Sequence, residues 1–189
     1  MYGQTEGTAR LSYLTPDLNM EKLGSIGKAI PNGEFQIIDE NGMKVKQSRI
    51  SGQLVYTGPN VMLGYAESKE DLTLGNVNNN RLETGDIAYF DDNGFYFIVG
   101  RIKRFIKLFG NRVNLDELES LLFVRGVQSA CTGKDNFLVI YILKPEDNTI
   151  VKEFLTKNLG IHFSAFDIRN IDEIPKNASG KTLYSNLSD

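Results

Sequence analysis

The stretch Gly100-Arg101-Ile102-Lys103-Arg104-Phe105-Ile106-Lys107-Leu108-Phe109-Gly110 divides the chain into two kinds of sequence. Ahead of it, short strand-like runs alternate with turn signals at Asn32-Gly33, Asn41-Gly42, Ser51-Gly52 and Asn93-Gly94, the punctuation of a β-rich segment. Residues 34–39 and 53–57 read as strands of a small sheet or barrel. Residues 87–90 and 95–99 flank Asp91-Asp92-Asn93-Gly94 as a hairpin with an Asn-Gly turn. The Asn-rich run 75–80 reads as a solvated loop. Beyond the connector the pattern changes. Residues 104–113 suggest a second hairpin turning at Gly110-Asn111. Asn114 with Glu117 three residues on makes a capping box ahead of Leu115, Leu118, Leu121 and Leu122 at helical spacing. The apolar run 137–143 has the length of a buried strand. A second helix fits 150–159, with Ile150, Phe154 and Leu155 on one face and Gly160 as its stop, and 166–171 fits a last strand. The expected class is therefore α+β: a β-rich segment, sheet- or barrel-like, over about the first hundred residues, the basic connector, then a small α+β domain.

Composition narrows the chemistry. With 41% hydrophobic and 24% charged residues the 189-residue chain can bury a core. Lys+Arg total 21 against Asp+Glu 24, a net charge of −3, which speaks against nucleic acid as a partner. The longest apolar run, 137–143, falls far short of the roughly 20 residues of a membrane helix. No charged-then-apolar leader opens the sequence, so a cytoplasmic protein is expected. Cys131 has no second cysteine to pair with, and His162 is the single histidine. Ser-His-Asp hydrolysis would hang on that one residue, and His/Cys zinc sites lack ligands.

Four stretches can carry chemistry. Tyr2-Gly3-Gln4-Thr5-Glu6-Gly7 puts a ring, a flexible glycine, a hydroxyl and a carboxylate within six residues. It suits a base, a phosphate and a hard cation, and equally a polar turn. Glu83-Thr84-Gly85-Asp86 can fix a carboxylate at a strand entrance for ribose hydroxyls, or be ordinary turn chemistry. The connector gathers four basic side chains in an acidic chain, which suits a small anionic ligand or a solvated edge strand. Pro175-Lys176-Asn177-Ala178-Ser179-Gly180-Lys181-Thr182 delivers a lysine on a pliable backbone. It is not a P-loop, because Pro175 stands where the first glycine is required.

The order and spacing of these stretches resemble the adenylate-forming ligase superfamily: acyl-CoA synthetases, luciferases and peptide-synthetase adenylation domains. Met1 to Glu6 is similar to its aromatic-Gly-x-Thr-Glu motif, and Gly24-Ser25-Ile26-Gly27 before Pro31 to its Gly-Ser-x-Gly segment. Ser51-Gly52-Gln53-Leu54 through Gly58 to Gly64-Tyr65 resembles its Gly-Glu-Leu…Gly…Gly-Tyr stretch. Thr84-Gly85-Asp86, Gly100-Arg101-x-Lys103 and Ser179-Gly180-Lys181 follow in the family's order.

The resemblance implies that a carboxylate attacks the α-phosphate of ATP, giving an acyl-adenylate and pyrophosphate. The thiol of CoA or of carrier-protein pantetheine then takes the acyl group. By position it assigns Tyr2 to the adenine, Gly3 to the nucleotide site, Thr5 to the α-phosphate, Glu6 to Mg²⁺, Asp86 to the ribose hydroxyls, and Arg101 to ribose or phosphate. Lys181 is implied to be the catalytic lysine. A unit-charge pair at 4 Å is worth roughly 4 kcal/mol at an effective dielectric of 20, about a thousandfold in rate. Lys103 occupies the hinge position, and Lys107, implied to be a second catalytic lysine, lies with Gly110 on the face turned toward the pantetheine tunnel for the second step. The resemblance sets the domain boundary there, with the barrel-like part over 1–102 and the small domain over 103–189.

Two residues depart from the pattern: Gln53 replaces the usual Glu, and Tyr184 stands where many members carry Arg or Lys. The family's upstream phosphate loop and most of its acyl pocket have no counterpart here. The expectation is thus the C-terminal part of such a ligase, inactive alone, with apolar surface able to support a dimer. The alternative is a binding or interaction module that keeps the fold without catalysis. The acyl substrate cannot be read from these residues.

Overall fold

In the computed structural model, which describes residues 1–187, the chain divides into two compact units, Met1–Ile102 and Lys103–Asp189. The class is α+β.

In the first unit, β1 (Ser12–Tyr13), β2 (Ser25–Ala29), β3 (Glu34–Ile38), β4 (Gly52–Thr57), β5 (Arg81–Phe90) and β6 (Tyr96–Arg101) form one antiparallel sheet. Its order is β1-β2-β6-β5-β4-β3, and it curls into a half-barrel. Alternation builds the core: Phe35 and Ile37 from β3, Leu54 and Tyr56 from β4, and Leu82 and Ala88 from β5 pack with Leu11 and Val61. Each large side chain so buried contributes about 1.5–3 kcal/mol. Asp91 accepts from the N–H groups of Asn93 and Phe95, closing the Asn-Gly hairpin where the sequence places it. Burial alone would raise the Asp91 carboxyl, but those two amides and Lys22 at 3.0 Å outweigh it and hold it below the usual range.

Two expectations need correction in this unit. Ser51-Gly52 is no turn: Gly52 opens β4, buried, where a Cβ would lie 2.5 Å from the Ile38 carbonyl. The first strand of the hairpin pair is also longer than read. β5 begins at Arg81, so Thr84-Gly85-Asp86 lies inside a strand rather than at its entrance. Between the pairs Gln53↔Ile87 and Val55↔Glu83, β4 supplies only Leu54 while β5 supplies Thr84, Gly85 and Asp86. The extra residues make a bulge, with Gly85 at φ +72°. The Thr84 hydroxyl donates to the Leu54 carbonyl at 2.7 Å and accepts from the Asp86 N–H at 3.1 Å, replacing the ladder bonds lost there.

The second unit opens with a hairpin of β7 (Phe105–Leu108) and β8 (Asn111–Asn114). Its two-residue loop is Phe109-Gly110, one position earlier than expected, with φ +49° and +86°, the primed-turn geometry that suits strand twist. α1 (Leu115–Val124) follows, and Asn114 caps it by accepting from the N–H groups of Asp116 and Glu117. β9 (Ser129–Lys134) and β10 (Phe137–Ile142) pair antiparallel. α2 (Asp147–Glu153) runs into a π turn, Phe154–Asn158, and β11 (Phe166–Asn170) returns parallel to β10. A parallel pair needs a crossover, and α2 provides it. The second helix starts earlier than expected and is rotated: Val151 is fully buried with Phe154 and Leu155, while Ile150 is 43% exposed. The core joins Ile106 and Leu108 of the hairpin, Leu115, Leu118 and Leu122 of α1, and Leu138, Ile140 and Ile142 of β10, with Cys131 among them. Among the described residues no helix is long and apolar enough to cross a membrane.

Candidate functional site

The N-terminal segment forms no strand of its own, yet it is tied down. The Tyr2 N–H donates to Ser12 O, Leu11 N–H to Tyr2 O, and Met62 N–H to Glu6 O. The Asn60 carboxamide donates to the carbonyls of Thr8 and Arg10 at 2.9 and 3.1 Å. These bonds set Tyr2 and Gln4 over the β5 bulge.

There a buried carboxylate collects three partners. Asp86 Oδ2 accepts from the Tyr2 hydroxyl at 2.5 Å and from Gln4 Nε2 at 3.1 Å. Oδ1 pairs with Arg101 Nε at 2.9 Å, and Asp86 and Arg101 are cross-strand neighbours on β5 and β6. The Asp86 side chain is 4% exposed and that of Arg101 64%, so the pair joins the interior to solvent. Gln4 Nε2 also reaches the Thr84 carbonyl at 2.8 Å. Burial, and then the hydrogen bond to Asp86, push the Tyr2 phenol well above an ordinary tyrosine, so it stays a donor.

Beside this cluster the Tyr65 hydroxyl donates to the Glu6 carboxylate, which lowers the Glu6 pKa and raises that of Tyr65. Gly3 and Thr5 are exposed, Gly3 so near Arg10 that a Cβ would lie 3.1 Å from its Cα. Among the described residues no group of three or more His, Cys, Asp or Glu is placed to cage a metal. Glu6 thus offers one carboxylate, a donor set that fits Mg²⁺ shared with substrate phosphates.

In the second unit Lys181 sits in a tight turn. The Asn177 carboxamide oxygen accepts from the Ser179 N–H and hydroxyl and from the Lys181 N–H at 3.0, 2.8 and 2.9 Å. The Asn177 N–H donates to Lys181 O, and Gly180 takes φ +80°. The Lys181 side chain is exposed. Lys103 is exposed in the short turn Ile102–Arg104, and Lys107 and Gly110 are exposed on the β7–β8 hairpin. That hairpin borders a cavity of about 290 Å³ lined by Phe109, Arg112, Val113, Leu121 and Leu159 among others. Within this unit Lys181 and Lys107 thus lie on separate elements.

The structure therefore brings Tyr2, Asp86 and Arg101 together, with Glu6 on the same segment. It also shows participants the sequence reading passed over. Gln4 lies inside the quoted motif, and only its amide reach to both Asp86 and Thr84 reveals it. Tyr65 closes the Gly64-Tyr65 motif and had no assigned task. Arg104, read as one more charge of the connector, is instead paired.

A half-barrel with a buried carboxylate is thus followed by a small α+β unit bearing an exposed lysine in a built turn. A family model described as AMP-binding enzyme matches residues 1–66. The chain is 30% identical over 195 residues to 2-succinylbenzoate–CoA ligase of Bacillus licheniformis, covering 98% of this chain and 40% of that enzyme. It is 33% identical over 202 residues to 4-coumarate–CoA ligase 2 of Oryza sativa subsp. japonica, covering 98% and 35%. Its fold matches o-succinylbenzoate CoA synthetase from Bacillus subtilis in complex with the acyl-adenylate intermediate, with TM-score 0.74 and 26% identity over 100% of this chain and 40% of that one. The same enzyme solved with ATP and magnesium ion matches at 0.71. The adenylate-forming ligase superfamily is thus the one this chain resembles in motif order, in sequence and in fold. The chain spans about two fifths of the length of the relatives it matches.

Proposed function

We propose that the chain is the part of an AMP-forming carboxylate–thiol ligase that holds the nucleoside and supplies the catalytic lysine. The observation that carries this is the Asp86 cluster: a buried carboxylate already receiving two neutral donors on one oxygen and an arginine on the other. The two hydroxyls of a ribose offer the same kind of donor that Tyr2 and Gln4 now supply. In this reading the ribose hydroxyls take those places on Asp86, and the Tyr2 ring stacks on adenine, with Gly3 leaving room. Arg101 reaches ribose or phosphate from the exposed side of the pair, and the exposed Thr5 hydroxyl meets the α-phosphate. Glu6 would hold Mg²⁺, which would offset the charge of the phosphates.

Lys181 bridges the carboxylate and the α-phosphate as a carboxylate oxygen bonds to phosphorus and pyrophosphate departs. In the second step the thiol sulfur bonds to the acyl carbon, AMP leaves with the electron pair of the broken C–O bond, and the thiol proton goes to solvent. Rotation about Lys103 brings Lys107 and Gly110 to the thiol's path. The likeness to two ligases that join aryl-bearing acids to CoA favours CoA as the acceptor and an aryl-bearing acid as the substrate.

The test is acid-dependent ATP–pyrophosphate exchange by the protein that carries this chain in its source cell. Lys181→Ala is expected to slow exchange by about a thousandfold. Equal exchange by wild type and Lys181→Ala overturns the assignment of the lysine. Adenosine-nucleotide binding without any acid-dependent exchange favours the binding-module reading.

A further inference from the structure

The turn that carries Lys181 is followed, three residues on, by Tyr184, and that tyrosine is built into a cluster the catalytic reading does not use. Arg104, directly after Lys103, donates through Nε to Asp116 Oδ1 and through Nη2 to Glu119 Oε1, both at 2.6 Å, and through Nη1 to the Cys131 carbonyl at 2.7 Å. Its guanidinium lies 3.7 Å from the centre of the Tyr184 ring. The Tyr184 hydroxyl donates to Glu119 Oε2 at 2.9 Å, while Glu119 Oε1 also accepts the Cys131 N–H at 2.7 Å. One carboxylate on α1 thus receives donors from the start of the hairpin, from β9 and from the C-terminal segment. The Arg104 side chain is 11% exposed and that of Glu119 20%, so water competes little for these bonds.

We infer that Arg104, Glu119 and Tyr184 form a clamp that positions the Lys181 turn and fixes it to the residue after the hinge, so that Lys181 turns with Lys103 as one body. The clamp rests on the reading of Lys181 as catalytic for its consequence, but not for its existence.

Three features make it a device for position. The Asn177 turn organises the local backbone around Lys181, but it says nothing of where the turn stands on the unit. Downstream, Leu187 is buried against Ala130, Val139 and Tyr141 and anchors the segment from below. Between them Tyr184 is the side chain that joins the segment to α1 and to Arg104 by directed bonds. Tyr184 also stands where many members of the family that the chain resembles carry Arg or Lys. A tyrosine accepts the face of an arginine, which a cation cannot do, so Arg104 and Tyr184 suit each other as a pair. Burial and then Glu119 push the Tyr184 phenol up to about 12, so it remains a donor throughout the physiological range.

Two measurements test the clamp and separate it from the functional reading. The first uses the 189-residue chain: amide hydrogen exchange in the peptides over 177–183, compared with those of β10. Tyr184→Ala is expected to speed exchange in 177–183 at least about tenfold with β10 unchanged, and Tyr184→Phe, which keeps the ring, to fall between. Acceleration spread equally over β10 means a packing role only, and no acceleration means no clamp. Either overturns the inference.

The second uses the source-cell protein and its two half-reactions. Tyr184→Ala is expected to lower kcat for acid-dependent pyrophosphate exchange about tenfold or more, with little change in the KM for ATP and near-normal thioester formation from preformed acyl-adenylate. Arg104→Lys, which keeps the charge and loses the flat face, should resemble Tyr184→Ala. Equal loss in both half-reactions overturns positioning of Lys181. If Lys181→Ala leaves exchange intact, the catalytic reading fails while the hydrogen-exchange result still decides the clamp.

Discussion

Replacing Asp86 tests the proposed nucleoside site without any ligand. In Asp86→Ala the Tyr2 hydroxyl loses a charged acceptor at 2.5 Å in a partly buried place, a loss of about 1.5–3 kcal/mol. Gln4 loses less, because its amide keeps the Thr84 carbonyl at 2.8 Å. Arg101, with its side chain 64% exposed, returns to water, and its share is below about 1 kcal/mol. The expected total is about 3 kcal/mol, or roughly a hundredfold faster native-state amide exchange in peptides from β4, β5 and β6. Asp86→Asn separates the contributions. Its carbonyl oxygen can take the place of Oδ2 before Tyr2 and Gln4, which turns its amide toward Arg101. It should cost about 1 kcal/mol, roughly fivefold in exchange. In Asp86→Ala the Tyr2 phenol should also titrate at lower pH than in wild type, because its charged acceptor is gone. Equal effects of Ala and Asn, or less than about threefold acceleration with Ala, would refute the argument that Asp86 is held by neutral donors on one oxygen and a solvated cation on the other.

Gly27, at φ +85°, would place a Cβ 1.8 Å from the Tyr13 carbonyl oxygen. Gly27→Ala should therefore destabilise the first unit by about 2–4 kcal/mol, read as exposure of β1 and β2 to exchange. Leu118→Ala, at a 2% exposed position under β10, should cost about 2–5 kcal/mol in the second unit, read by urea unfolding. The Tyr184 phenol has a raised pKa in the folded chain, so its contribution is complete below the unfolded value near 10 and is lost as pH rises toward about 12. Tyr184→Phe should flatten the fall in stability over that window by about 1–2 kcal/mol after allowance for partial exposure, measured by urea titrations at stepped alkaline pH.

The sequence was most legible where a local rule and a tertiary need coincide. Asn93-Gly94 closes its hairpin and Asn114 caps its helix because one residue decides each. The 137–143 run became β10 because only a strand buried on both faces tolerates such continuity. Thr84-Gly85-Asp86 misled because the same three residues serve a turn and a bulge, and only the partner strand, with Leu54 alone opposite them, decides between the two. The second helix was rotated because Ile150 and Val151 are equally apolar and the sheet, not the helix, selects which faces it. The motif order recognised the family, but the cluster around Asp86 needed Gln4, whose value lies in a reach of 82 residues that no local pattern encodes. Arg104 was hidden in the same way: in sequence it is one of four basic residues, and only Glu119 and Tyr184 distinguish it.

The strand order of the first unit bears on how it is made. β3, β4, β5 and β6 follow one another as a meander and can pair as they leave the ribosome, whereas β2, synthesised earlier, has only β1 beside it until β6 arrives to join them to the rest of the sheet. The strand that captures β2 is also the one that brings Arg101 to Asp86. The sheet is therefore completed and the buried carboxylate receives its cation in a single late event, so a nascent chain stopped before β6 would carry the bulge and its acid but neither a closed sheet nor a neutralised site.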